Sequence, residues 1–355
     1  MMKGTKKFFA LFTATATLLG MTACAGGGTA QTASQTSAAA DTTAAQAAQT
    51  GESVQTTAAA EGDVYRIGMV ANNIGIDDYQ TKCDECLREY AAEVGNVELT
   101  VLDAAGDVNT QISQIQDLIQ QKSDVIIVWA CDSLSIIPGL QEAKEAGIPI
   151  MCTNNPIDAS GDEYLSAFVG PDHYEEAVMC ADMLAGMFPD GCNVVQLTGT
   201  PGYDVSTWRQ NGFEESIPAN IKILETQNAD WNREKAQQQM EKMILKYGDQ
   251  IDALYAADDN IAIGAYNALQ AANMDIPIIA CAFIGNEESV KYIEEGIISG
   301  SVLQSPFPDA VTVLDTAIKL AKGEAVDAVT RYDLYPCTSE NVKQVIADAG
   351  FEIWN

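Results

Sequence analysis

Eleven side chains suited to holding a small molecule sit just after, or close to, short apolar runs: Asp77, Tyr79, Gln80, Trp129, Asn154, Asn155, Tyr203, Arg209, Trp231, Asp258 and Gln304. Carboxylates and side-chain amides accept from, or bridge, vicinal hydroxyls. Hydrogen bonds to charged groups are roughly twice as strong as neutral ones. Flat indole and phenol rings cover a face of C–H bonds and bury a large area. The combination is the chemistry of non-covalent capture of a polyhydroxylated molecule, of which a monosaccharide is the plainest case. Asn and Asp at such positions also cap helices, and capping is the competing reading for Asn72, Asn73, Asp132 and Asn260. For Trp129 and Trp231 it is core or lobe packing.

Other chemistries find little support. A single His among 355 residues argues against an imidazole-based zinc site and against a Ser-His-Asp enzyme. Fifty Asp+Glu against 19 Lys+Arg give a net charge of −31 and a pI near 4.1, so nothing here could neutralise a nucleic-acid backbone or dock on anionic lipid. Gly-x-Gly-x-x-Gly after a strand and the Walker lysine pattern are absent. The nearest candidate, Gly199-Thr200-Pro201-Gly202, lacks the Lys and reads as a tight turn. Asp77/Asp78 and Asp258/Asp259 are chain neighbours whose side chains point different ways, so neither is an acid/base pair of glycosidase type. A calcium loop of the Asp-x-Asp-x-Asp-Gly type is absent. The sequence predicts no catalytic residue, no metal and no cofactor.

The elements that must position these residues alternate. Strands are predicted at 64–70, 97–102, 124–129 and 148–153, with helices at 79–94, 110–121 and 134–146 between them. The continuous apolar run at 124–129 fits a strand buried on both faces. The rhythm lapses after Asn155 and restarts at Cys192, with strands at 192–197, 222–225, 251–256 and 276–281. The helices of this half are 206–216, 231–247, 260–271 and 287–295, Trp231 opening the second. This is an α/β chain with two doubly wound parallel-sheet halves. Ligands on such sheets sit outside the carboxyl ends of the strands, where the eleven residues fall.

Residues 1–23 read as an export signal. Lys3, Lys6 and Lys7 precede a short apolar stretch, and Met21-Thr22-Ala23-Cys24 resembles a bacterial lipobox, so Cys24 is the predicted lipidation site. Of residues 25–60, 33 of 36 are Ala, Thr, Gln, Ser or Gly, a composition that cannot bury enough apolar surface to order itself. Residues 24–61 are therefore read as the lipidated Cys and a tether of roughly 30–36 Å r.m.s. reach. No other stretch approaches the length of a membrane span, which leaves the lipid as the sole membrane attachment. Eight further Cys lie mostly in apolar runs and read as structural thiols, Cys83-x-x-Cys86 included.

At this point the chain resembles the ribose/galactose-type periplasmic binding proteins, the extracytoplasmic receptors of ABC importers, from about Tyr65 to Leu334. The residues that carry the resemblance are Ala146-Gly147-Ile148-Pro149-Ile150, Arg209-Gln210-Asn211-Gly212-Phe213, Ala229-Asp230-Trp231-Asn232-Arg233 and the run Ala256 to Ala265. It implies an N-terminal lobe of 62–171 with 305–333 and a C-terminal lobe of 172–304 with 334–355, joined by three crossovers. It implies that Asp77, Tyr79, Gln80, Asn154, Arg209, Trp231, Asp258 and Gln304 contact ligand. Asn155 stands where ribose receptors often carry Arg, Trp129 where they carry Asn, and Asp258 where the family has Asn. Ile284 or Ala282 replaces a sugar-binding Asp. The resemblance further implies a monomer that delivers its sugar to a membrane permease. An inositol, deoxy-sugar, nucleoside or signalling molecule as ligand, or a membrane kinase as partner, stays open.

Overall fold

The computed structural model describes residues 63–349. The export signal, Cys24, the tether and the last six residues lie outside them. In chain order the elements are β1 (Tyr65–Ala71), α1 (Asp78–Val94), β2 (Val97–Asp103), α2 (Val108–Gln120), β3 (Val125–Val128), α3 (Ile137–Glu145), β4 (Ile150–Thr153) and β5 (Ala167–Gly170). There follow α4 (His173–Met187), β6 (Asn193–Thr198), α5 (Asp204–Ser216), β7 (Lys222–Asn228), α6 (Arg233–Tyr247), β8 (Ala253–Ala256), α7 (Asp259–Ala271) and β9 (Ile278–Phe283). The chain closes with α8 (Glu287–Glu294), β10 (Gly300–Leu303), α9 (Pro306–Ala321), β11 (Val329–Arg331), β12 (Tyr335–Cys337) and α10 (Val342–Ala349).

Two six-stranded sheets result, in the orders β11-β5-β4-β3-β1-β2 and β12-β10-β9-β8-β6-β7. All pairings are parallel except that of β10 with β12. Every residue of β3, β4, β8 and β9 is buried, which is why these strands read as unbroken apolar runs rather than alternating ones. The chain crosses between the sheets after β5, after β10 and again after β11. We call the half built on β1 the N-lobe and the half built on β6 the C-lobe.

The structure departs from the sequence expectation in three places. Residues 156–191, to which the sequence assigns no strand or helix, hold β5 and α4. The strand is only four residues long, and in the helix the buried Ala177, Cys180, Ala181 and Leu184 keep helical spacing, but the apolar Val178, Met179, Met183 and Met187 off that face blur it. Helix α3 starts at Ile137, not Leu134. The Asp132 carboxylate accepts from the N–H groups of Leu134 and Ser135 at 3.2 and 2.7 Å and holds that stretch as a turn. Trp231 does not open α6. It has φ +59, follows Asp230 at φ +53, and precedes Asn232, whose side chain caps the helix by accepting from the Lys235 N–H. Among the described residues no helix is long and apolar enough to cross a membrane.

Candidate ligand-binding site

On the N-lobe side the site starts at the first turn of α1. Asp77 is the N-cap, accepting from the Gln80 N–H at 2.7 Å, as expected of an Asp before a helix. That cap fixes Tyr79 and Gln80 at the carboxyl end of β1. The Tyr79 hydroxyl donates to the Asp309 carboxyl of α9 and accepts from the Asn154 amide at 3.3 Å. Its ring meets Trp129, at the end of β3, edge to face with centroids 5.9 Å apart. Asn154 ends β4 at φ +58, a left-handed conformation that Asn tolerates better than most residues.

The C-lobe contributes a second edge-to-face pair, Tyr203 with Trp231, at 6.3 Å. A bulky residue at positive φ is an outlier that persists only where its surroundings enforce it, and such positions cluster at functional sites. Arg209, in α5, is the cation of the site. Its Nε and Nη2 donate to Glu176 Oε2 at 3.1 and 3.0 Å, Nη2 also to Gln304 Oε1 at 2.9 Å, and Nη1 to the Ala257 carbonyl at 3.0 Å. The Glu176 side chain is 0% exposed. Its burial opposes the charge, yet Arg209 and then His173 hold the carboxyl below its ordinary value. Burial alone would lower the guanidinium's affinity for its proton; Glu176 reverses this and raises it. His173 is depressed, chiefly by burial, so its imidazole is neutral at pH 7. Its Nε2 lies 3.2 Å from the Asn154 carbonyl, and its Nδ1 lies 3.0 Å from Glu176 Oε2 and 3.3 Å from Arg209 Nη2.

Three sets of contacts cross between the lobes. Gln304 Nε2 donates to the Tyr79 hydroxyl at 2.8 Å. Asn72 and Asn155 both donate to the Tyr203 hydroxyl, at 2.8 and 2.7 Å. His173 reaches Asn154 as above. The lobes thus meet around a cavity of about 60 Å³, counted as space open to the centre of a water molecule. One water needs roughly 10–15 Å³ on that measure, so the space suits a few waters or one small molecule.

Asp77, Tyr79, Gln80, Trp129, Asn154, Tyr203, Arg209, Trp231, Asp258 and Gln304 all line this cavity. Asn155 does not. It stands behind Tyr203, its amide donating to that hydroxyl and to the Ala130 carbonyl. Sequence reasoning did not select His173, Val205, Asp259 and Asn260, which also line the space, nor Glu176 behind Arg209. A signal existed for two of them: His173 and Glu176 lie three apart on α4, directly after the Gly170-Pro171-Asp172 crossover. Ala282 and Ile284 line the cavity as an apolar wall.

The carboxyls of the cavity are electrostatically unusual. Asp258 caps α7, accepting from the Ile261 N–H at 2.7 Å, and is raised to about 7 by burial and by its neighbour Asp259. Asp77 is also raised, mainly by burial. One buried polar atom on a cavity residue, Gln80 Oε1, has no hydrogen-bond partner among the described residues, while Trp129 directs its indole N–H toward the Tyr203 hydroxyl.

The profile of the family described as periplasmic binding protein domain matches residues 67–325. The chain belongs to the periplasmic binding protein family. This binding protein is 30% identical over 291 residues to the xylitol-binding protein of Mycolicibacterium smegmatis, covering 81% of each chain. It is 29% identical over 219 residues to the ribose import binding protein of Bacillus subtilis, covering 61% of this chain and 70% of that one. Among solved structures, it is similar to an ABC transporter periplasmic solute binding protein from Actinobacillus succinogenes with bound D-allose. The TM-score is 0.72 and the identity 25%, over 79% of this chain and 99% of that one. The family resemblance and the two-lobed parallel-sheet fold expected from the sequence are both found. The proteins it is similar to bind sugars or polyols, and its family is one of substrate-binding proteins rather than enzymes.

Proposed function

We propose that this protein captures one small polyhydroxylated molecule, a monosaccharide or cyclic polyol, in the cavity between its lobes and presents the closed form to an ABC import permease. The observation that carries this is the cavity itself. Two aromatic pairs, one from each lobe, flank carboxyl, amide and guanidinium groups from both lobes. Rings cover C–H faces, and the polar groups take hydroxyls. A ligand touching both lobes favours closure only to the extent that it binds the closed form better. Asp77, Tyr79, Gln80, Trp129, Asn154, Arg209, Trp231, Asp258 and Gln304 are the proposed contacts. Tyr203 and Asn155 act together, the amide orienting the phenol. Lobes of 62–171 with 305–333 and 172–304 with 334–355 suit three short hinge strands.

In this proposal the protein works outside the cytoplasm as a monomer, tied to the membrane through lipid on Cys24 and the 24–61 tether. The test is thermal unfolding against pentoses, hexoses, deoxy-sugars, inositols and nucleosides. A ligand at 100 times its Kd adds about 2.7 kcal/mol and raises Tm by a few degrees. Silence across the whole panel overturns the proposal. Labelling of the exported chain with a fatty-acid analogue, lost in Cys24→Ala, tests the anchor.

A further inference from the structure

The charges around the cavity do not balance. Its lining holds three carboxyls, Asp77, Asp258 and Asp259, against the single cation Arg209, with His173 neutral. Arg209 is already matched by Glu176, which is fully buried behind it, and four of its five N–H groups go to Glu176, Gln304 and the Ala257 carbonyl. Asp259 has its own partners. It accepts from the Ser289 hydroxyl and the Ile284 N–H and feels the guanidinium of Arg233. Asp77 and Asp258 remain, one from each lobe. Each gives one oxygen to the first turn of the helix it caps. The second oxygen of Asp258 makes no hydrogen bond within the described residues. Gln80, about nine-tenths buried on the same wall, has a side-chain oxygen with no partner among the described residues.

The closed cavity therefore offers surplus acceptors and surplus negative charge from both lobes. A hydroxyl supplies one donor and no charge. An alkylammonium supplies three donors, no acceptor and the missing positive charge. The indoles and phenols around the cavity also attract a cation through their ring faces. A metal ion would satisfy the charge as well, but among the described residues no group of His, Cys, Asp or Glu is arranged to hold one. Resting on the capture of a polyhydroxylated molecule proposed above, we propose that the ligand carries a primary amine, an amino sugar or amino cyclitol, whose ammonium is taken by Asp77 and Asp258. The ring hydroxyls then fall to Asn154, Gln304 and the one free N–H of Arg209, and an unsubstituted face lies on Ile284 and Ala282. The raised pKa of Asp258 is consistent with a carboxyl closed in without its counter-charge.

The test is titration calorimetry of the full chain with matched pairs: D-glucosamine, D-galactosamine and an inosamine, each beside its hydroxyl counterpart and its N-acetyl derivative. Work at about pH 7 keeps most of each amine charged while leaving Asp258 able to ionise. The expected result is an amine that binds at least about tenfold more tightly than both neutral counterparts, roughly one 1.4 kcal/mol step. Asp77→Asn and Asp258→Asn remove charge while leaving a competent helix cap, so loss of the preference is not loss of the fold. Each is expected to cut the amine-to-hydroxyl affinity ratio at least about fivefold. Hydroxyl members binding as well as the amines overturn the inference and leave polyol capture standing. An amine preference untouched by both substitutions overturns the assignment to Asp77 and Asp258. Binding by none of the compounds removes polyol capture and the inference with it.

Discussion

The side-chain amide of Gln304, at the end of β10 in the C-lobe, donates at 2.8 Å to the hydroxyl of Tyr79 in the N-lobe. One phenol oxygen thereby holds Gln304, Asn154 and Asp309 at once. Tyr79→Phe keeps the ring against Trp129 and deletes only that oxygen. It leaves the buried Asp309 carboxyl without its donor and frees Gln304 from the opposite lobe. The expected loss is about 1–3 kcal/mol in the stability of the closed form. Small-angle scattering should show a more open chain, and ligand affinity should fall by roughly tenfold. An unchanged scattering profile and affinity would remove Tyr79 as a link between the lobes.

Arg209 and Glu176 form a buried pair, and removing one member strands the other. Arg209→Met leaves a carboxylate with no exposed surface and no counter-charge, a change that typically costs about 3–5 kcal/mol. Glu176→Gln leaves the guanidinium with Gln304 and the Ala257 carbonyl as acceptors and should cost less. Because the two share one interaction, the double variant should lose clearly less stability than the sum of the singles. Denaturant unfolding of the three variants measures this, and simple additivity would argue against a coupled pair.

Asp258 gives the protein a pH signature. Its carboxyl is raised to about 7 in the fold, by burial and by Asp259, against about 3.9 in an unfolded chain. An acid with a raised folded value holds its proton more tightly when folded. Its stabilising contribution is complete below about pH 4 and is lost as the pH rises through about 7. The buried His173 works in the opposite direction: being depressed in the fold, it loses stability as the pH falls below about 6.5. Comparison with Asp258→Asn isolates the first effect. The ligand-free variant should gain stability relative to the parent as the pH goes from about 4 to about 8. A constant difference in Tm across that range would show that Asp258 titrates normally.

Most of the architecture was legible because parallel strands buried on both faces leave unbroken apolar runs, as at β3 and β9. The site was legible because ligands on such sheets collect at strand ends, where the Asp, Asn and Trp residues stood out against apolar neighbours. What stayed hidden depends on partners distant in sequence. Asn155 was expected at the ligand because it follows β4, but its amide is held by Tyr203, 48 residues away. Glu176 lies on the buried face of α4, whose period is blurred by apolar residues on its other faces, and its contact with Arg209, 33 residues on, reveals its importance. The left-handed backbone at Trp231 is equally invisible, since a Trp before an Asn cap reads as the start of a helix.

The backbone at Trp231 leads to the last prediction. Its ring lies against Gly199, the residue after β6, so closely that a Cβ there would come within 2.0 to 2.4 Å of three indole atoms. Nothing so bulky fits, and the ring cannot yield freely because it is wedged by Tyr203 and by two successive left-handed residues. Gly199→Ala should therefore move the indole without altering any charge or any polar ligand contact. Trp231→Ala removes the stacking surface and should abolish measurable binding. Gly199→Ala should weaken it by at least about tenfold, some 1.4 kcal/mol, and alter the ligand-induced change in tryptophan fluorescence. If Gly199→Ala binds and fluoresces like the parent, the ring has found another position that serves equally well, and close packing of Trp231 on the glycine is not what aims it at the ligand.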